Sequence, residues 1–256
     1  MRLRVVGCSG NVPGPASPAS CYLVEADDGG RAWRVVLDLG SGALGPLQRW
    51  CDPREIDAVA ITHLHPDHCA DLAALHVYLS HHSDGPSGPV TVLAPFGTTS
   101  RLEQLRGSTN PTERLDIRAW QSGAAVGVGP LRLVPRSVDH SVPAYAIRVE
   151  GPGESGAEVA VLAYSGDGDL CEGLEQTADG ADLLLCEATF TEAEDLPRGF
   201  HLTGRRAGVL AAESGARALM LTHVPPWTDP NVALTEAETE YDGPISIARA
   251  GAALAI

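Results

Sequence analysis

Histidine and aspartate crowd one short stretch of this 256-residue chain, where His63-Leu64-His65-Pro66-Asp67-His68 places four metal-ligating side chains within six positions. A neutral imidazole offers one nitrogen lone pair and a carboxylate offers two oxygens, the donors that suit zinc and related ions. The run follows a strand-like stretch, Ile56 to Ile61, so it lies at a turn from strand to helix. Ligands this dense are costly to hold together unless a cation needs them. The run predicts a metal site. Cys69, the next residue, is the one thiol placed to join it.

Four further candidates stand where a loop reaches a strand's end. His140 lies in Arg-Ser-Val-Asp-His-Ser after Leu131–Val134, and Asp167 lies in Ala-Tyr-Ser-Gly-Asp after the apolar run Val159–Tyr164. His223 follows Leu219-Met-Leu-Thr, and His201 opens a helix in Gly-Phe-His-Leu-Thr. A lone histidine after a strand is usually structural. The set carries the argument, because each position repeats the strand-then-ligand pattern of the first motif.

The elements that must position these residues are short. Strands are expected at Leu3–Val6, Cys21–Glu25, Trp33–Leu37, Ala58–Ile61, Val90–Leu93, Leu131–Val134, Tyr145–Val149, Val159–Tyr164, Leu183–Cys186, Ala218–Leu221 and Ile245–Ala248. Helices are expected at Leu44–Cys51, Asp67–Ser80, Thr98–Leu105, Thr203–Glu213 and Asn231–Tyr241, the fourth capped by Thr203 and stopped by Gly215. Hairpins mixed with helical crossovers point to an α/β sandwich, two packed sheets with helices outside, formed as one domain over residues 1–256. His76, His81 and His82 are expected on or beyond the helix after the first motif, facing water, and the acids of the last helix form a solvated face.

Composition narrows the function. The formal net charge is −15, with 18 Lys and Arg against 33 Asp and Glu. Nucleic-acid binders place cations against phosphates, so a long polyanionic partner is disfavoured, whereas a locally positive metal site still suits one small anion. No apolar run reaches membrane-spanning length, and the N-terminus reads as a first strand rather than a signal peptide. Six cysteines without a CxxC pair predict reduced thiols and a cytoplasmic protein.

HLHPDH, then SVDH, YSGD and LTHVPPW, in that order, resemble the metallo-β-lactamase superfamily, and within it the tRNase Z-like phosphodiesterases. MRLRVVGCSG, SPAS, YSGD, CEA and LTHVPPWT are similar to an actinobacterial group of atypical 3',5'-cyclic-nucleotide phosphodiesterases. The resemblance runs from the first strand to beyond His223. It implies a four-layer αββα sandwich with two divalent metal ions at one edge, zinc foremost, with manganese and iron left open by the two carboxylates. It also implies that His63, His65 and His140 hold one ion, that Asp67, His68 and His223 hold the other, and that Asp167 bridges them. Asp67 would orient or deprotonate the attacking water, and His201, matching the family's extra histidine, would protonate the leaving group.

The expected substrate is a small anionic phosphodiester, a cyclic nucleotide opened to its 5'-monophosphate; the family's habit adds a homodimer. The tRNase Z pattern has His-Glu-Ala-Thr where this chain reads Cys186-Glu187-Ala188-Thr189, so the acid groups of tRNA cleavage lack an imidazole. Between Asp167 and His201 stands only the acidic stretch Thr191 to Pro197, with no long basic arm. A tRNase Z-like ribonuclease, a hydrolase of a thioester, lactone or β-lactam, and a non-catalytic nucleotide-sensing module are the competing readings. Trp227 could stack a purine or simply pack, and the loop Ser9 to Ser20 could line the pocket mouth or be an ordinary turn.

Overall fold

Valine- and leucine-rich runs that bury both faces must be covered on both sides, and the chain does this with two sheets and two helical layers. The computed structural model describes residues 1–107, 113–154, 159–193 and 197–256. Its strands are β1 (Arg2–Gly7), β2 (Cys21–Asp28), β3 (Arg31–Leu37), β4 (Ala58–Ala60), β5 (Val90–Ala94), β6 (Leu115–Ala119), β7 (Val126–Val128), β8 (Leu131–Val138), β9 (Ala144–Gly151), β10 (Ala160–Tyr164), β11 (Leu183–Glu187), β12 (Leu219–Thr222), β13 (Ile245–Ile247) and β14 (Ala253–Ala255). The helices are α1 (Leu44–Leu47), α2 (Pro66–Cys69), α3 (Leu72–His81), α4 (Thr98–Arg106), α5 (Glu172–Ala178), α6 (Gly204–Glu213) and α7 (Pro230–Ala237).

One sheet runs β14-β1-β2-β3-β4-β5-β6 and the other β13-β12-β11-β10-β9-β8-β7, each of seven strands among the described residues. Strand parity assigns the layers. In β2, Tyr22, Val24 and Ala26 enter the core between the sheets, while Cys21 and Leu23 face the helices of the first half. In β11, Leu183 and Leu185 point inward, while Leu184 and Cys186 meet α5, α6 and α7. This is the expected αββα sandwich.

Direction sets the site's edge. β3, β4, β5 and β6 are mutually parallel, as are β10, β11, β12 and β13. β8 is antiparallel to β9 and β9 to β10, so β8 ends at the same edge as β10. Carboxyl ends of such strands are where open α/β sheets place ligands.

The structure corrects several expectations. The helix expected over Asp67–Ser80 is broken at Ala70 and Asp71. There the backbone of Leu39 takes the His68 carbonyl (2.8 Å) and the Asp71 N–H (3.1 Å), and the Asp71 carboxylate accepts from Leu44 N–H (2.8 Å). His76 is buried rather than water-facing, because Leu72, Leu75, His76 and Leu79 form one stripe against the sheet. His81 is exposed, and His82 is half-buried. Strands β6, β7 and β14 carry too little alternation to be read locally; pairing with β5, β8 and β1 makes them strands. Thr203 does cap α6, accepting Arg206 N–H at 3.2 Å, and Gly215 takes φ +65° just past its end.

Candidate metal centre and active site

All eight predicted residues meet at this common edge. His63, His65 and His140 bring ligand atoms within 4.8 Å of one another, and so do Asp67, His68, Asp167 and His223. Asp167 lies between the groups, with its carboxylate 3.8 Å from His63 Nε2, 3.2 Å from His68 Nε2 and 3.5 Å from His223 Nε2. Cys69 is not among them; its thiol is buried in the apolar layer under α3, and that burial pushes its pKa up to about 11. A thiol so far from ionising is a poor ligand.

Hydrogen bonds on the far side of each ring decide which nitrogen faces inward. His68 Nδ1–H donates to Asp38 Oδ2 (2.7 Å) and His140 Nδ1–H to the Phe200 carbonyl (2.8 Å). The Thr62 hydroxyl gives its proton to Asp38 (2.9 Å), so it accepts from His63 Nδ1–H at 3.1 Å. The Thr189 hydroxyl gives its proton to Glu187 Oε2 (2.6 Å), so it accepts from His223 Nδ1–H at 2.9 Å. Four Nε2 lone pairs are thereby aimed at the cluster.

Two of them, on His68 and His223, stand 3.0 Å apart. Lone pairs at that distance repel unless a cation sits between them. In the other group, His65 Nδ1 is 3.0 Å from His63 Nε2 and 3.2 Å from His140 Nε2, so one proton at most separates three nitrogens. Tetrahedral zinc with bonds near 2.0–2.1 Å places its nitrogen ligands about 3.3 Å apart. Asp167 Oδ1, buried, makes no hydrogen bond. The donor set fits two divalent ions.

Protonation points the same way. Burial, reinforced by neighbouring imidazoles, holds His63 well below its ordinary pKa and lowers His65 and His140 as well, keeping their lone pairs free. Burial opposes a charge on Asp167, but the His223 and His68 rings outweigh it and hold that carboxyl well below its usual range. Burial likewise disfavours a charged His68, yet Asp167 and Asp38 raise its pKa well above normal. In the metal-free chain the site therefore recruits a proton where it would hold a metal.

His201 is held differently. Its Nδ1–H donates to Glu187 Oε1 at 2.9 Å, and its ring lies 5.1 Å from that of His140. Burial disfavours the imidazolium, but Glu187 and then Asp167 outweigh it and raise the pKa to about 9. The sign follows from linkage: with an unfolded value near 6.5, the stabilisation is full below about pH 6.5 and lost as pH rises through about 9. It amounts to about 3 kcal/mol. Chemical denaturation of the chelated protein between about pH 6 and pH 10 should show a larger loss in wild type than in His201→Ala, the difference being the His201 contribution.

Two functional residues are absent from the sequence reading. Glu187 shares the inward parity of Leu183 and Leu185, which puts its carboxylate on Gly168 N–H (2.9 Å), Thr189 and His201. Cys186 has the opposite parity and faces α6, so the missing imidazole at that position does not bear on the acid groups. Asp38, fully buried at φ +56°, follows β3 as the ligands follow their strands, and this was the available signal. It accepts from His68, from Thr62 N–H (2.7 Å) and, across the sheets, from Tyr164 Oη–H (2.7 Å). Asp38→Asn keeps that backbone conformation, which Asn tolerates. It should weaken zinc binding by about 10–100-fold in chelator competition, the usual cost of losing a partner that orients a ligating histidine.

The loop after β1 packs directly on the centre. A Cβ on Gly10 would stand 2.1 Å from the His223 carbonyl oxygen, and Asn11 N–H points at His223 Nε2 (3.5 Å). Trp227 is 69% exposed, which rules out core packing. The acidic stretch Thr191 to Pro197 lies partly outside the described residues. No helix among the described residues is long and apolar enough to cross a membrane.

Comparison with known proteins agrees with this architecture. Residues 33–224 match the family described as the Beta-lactamase superfamily domain. "Uncharacterized protein Rv1339" of Mycobacterium tuberculosis is 41% identical over 96% of this chain and 88% of its own length. "Probable metallo-hydrolase YhfI" of Bacillus subtilis is 30% identical over 98% of both chains. The YhfI crystal structure superposes with a TM-score of 0.86 at 25% identity, covering 99% of this chain and 98% of that one. The short form of human tRNase Z shares the fold, with a TM-score of 0.76 at 19% identity over 100% and 99% of the two chains. The chain belongs to the metallo-β-lactamase superfamily, on the branch that holds ribonuclease Z and YhfI.

Proposed function

We propose that this chain is a dinuclear metal-dependent phosphodiesterase that opens a small phosphodiester, foremost a 3',5'-cyclic nucleotide, to its 5'-monophosphate. One observation carries the reading: the His201 ring, hydrogen-bonded to the Glu187 carboxylate at 2.9 Å, stands beside a cluster whose lone pairs and carboxylates fit two cations. Two bound divalent ions against Asp67 and Asp167 leave about two positive charges, matched to one phosphate and opposite in sign to a protein of net charge −15. Those ions would supply the charge that acidifies a water and offsets charge developing on phosphorus.

The chain's own residues do the rest. Asp67 Oδ2, 3.1 Å from His223 Nε2, orients the attacking water and takes its proton. The water oxygen bonds to phosphorus as the bond from phosphorus to O3' breaks. His201 gives its proton to O3', and Glu187 keeps the ring aimed. The products are a 5'-monophosphate and a free 3'-hydroxyl; Asp67 then releases its proton to solvent and His201 regains one from it.

A long RNA suits this chain less. Eighteen cations against 33 acids give it little to set against many phosphates. Trp227, exposed four residues beyond His223, is the aromatic face we assign to the base. Trp227→Ala should raise KM for the cyclic nucleotide by about 5–150-fold, the equivalent of ~1–3 kcal/mol of stacking, and leave bis-aryl phosphodiesters unchanged.

The deciding assay offers the zinc- or manganese-loaded protein cyclic AMP, cyclic GMP, a bis-aryl phosphodiester, a pre-tRNA and a thioester. Turnover of the first three, lost on chelation, supports the reading. Inertness toward all three would end it, and turnover of pre-tRNA or thioester alone would move the activity to that bond.

A further inference from the structure

We propose that Asp169 and Arg206 form a clamp that holds His140 and His201 in register, so that cation binding and proton donation depend on one ion pair outside the cation site. The inference rests on the reading of His140 as a ligand and His201 as the acid.

Asp169 is 3% exposed and lies two residues beyond Asp167. Its backbone N–H donates to the Asp139 carbonyl (3.0 Å), in the turn that carries His140. Its Oδ2 accepts Gly199 N–H at 2.7 Å, and its Oδ1 accepts Leu170 N–H at 2.8 Å and pairs with the Arg206 guanidinium. The next carbonyl after Gly199, that of Phe200, is the acceptor that orients His140 Nδ1–H, and His201 follows it. One residue thus joins three segments: its backbone N–H holds the His140 turn, and its carboxylate holds the segment after Asp167 and the Gly199–His201 loop.

Arg206 reaches it from the first turn of α6. Its side chain is 18% exposed, so solvent screens the pair poorly and removing one partner leaves the other's charge uncompensated. Among the described residues, neither belongs to a group able to hold a cation. Both act through the loop and are positioning residues.

The test titrates zinc into the full chain against a chromophoric chelator, for wild type, Asp169→Asn, Arg206→Met and Arg206→Lys. Affinity for one of two ions should fall about 10–100-fold in Asp169→Asn and Arg206→Met, with the other ion held within about threefold. Arg206→Lys should recover most of the loss. In the chelated chain, the His140 and His201 imidazole resonances should move in the two disabling variants and return in Arg206→Lys.

Equal weakening of both ions with a lowered Tm would make this a structural ion pair and overturn the clamp. Unchanged affinity with unmoved resonances would overturn it too. A wild type that binds no zinc would defeat the metal reading instead, and the imidazole resonances of the metal-free chain would then decide the clamp alone.

Discussion

Asp167→Asn is expected to abolish hydrolysis, by more than about 10³-fold in kcat/KM, while leaving the protein folded. The substitution keeps the side chain's shape and removes the charge that the two ligand groups share. Among the described residues Asp167 is the one carboxylate within 4 Å of both His63 and His68, so its loss affects both groups at once. In the metal-free chain Asp167 also pairs with the proton that His68 recruits, and the neutral amide forfeits that attraction. Zinc analysis after gel filtration should fall from two ions per chain, and the thermal transition of the chelated protein should fall while remaining cooperative, because the ionised carboxylate stabilises the metal-free fold. A folded Asp167→Asn variant with two ions and near-wild-type turnover would remove the basis for a shared carboxylate.

The second large effect separates the acid from the cations. His201→Ala should lower kcat on a cyclic nucleotide by about 10²–10⁴-fold, the range for loss of a positioned proton donor. A ribose alkoxide is a poor leaving group and needs that proton as its bond to phosphorus breaks. A nitrophenolate leaves without it, so hydrolysis of a bis(nitrophenyl) phosphodiester should change by only a few-fold. Zinc content should stay at two, because no ligand is removed. Glu187→Gln should fall between wild type and His201→Ala, since Glu187 is the strongest influence holding the imidazolium. Equal losses on both substrates would place His201 in metal binding or folding rather than in proton transfer.

Local chemistry made much of the site legible. HLHPDH declares itself because its ligands are close in sequence, and His140, Asp167 and His223 repeat one motif, a polar residue where an apolar strand ends. Glu187 stayed hidden because it follows a cysteine on a strand apolar on both faces, where only parity distinguishes inside from outside. Asp38 stayed hidden because its role is defined by partners 24, 30 and 126 residues away. His76 shares the helical spacing of Leu72, Leu75 and Leu79, so its burial was legible and its polarity misled; the break before α3 was not legible. That break comes from Leu39, whose backbone takes the His68 carbonyl and the Asp71 N–H away from the helix.

By itself, the order of residues determined the donor types, their sequence along the chain, the strand-by-strand apolar pattern and the cap of α6, all of which depend on neighbours within a few positions. Tertiary structure alone decided that strands of two sheets end at one edge, that Asp167 stands between two ligand groups, and that Asp38, Thr62, Thr189 and Glu187 fix which nitrogen of each imidazole looks inward. The reason is physical. Hydropathy and capping act over one or two turns of chain, whereas the direction of a lone pair depends on the group at the far side of the ring, and folding brings that group from anywhere in the sequence.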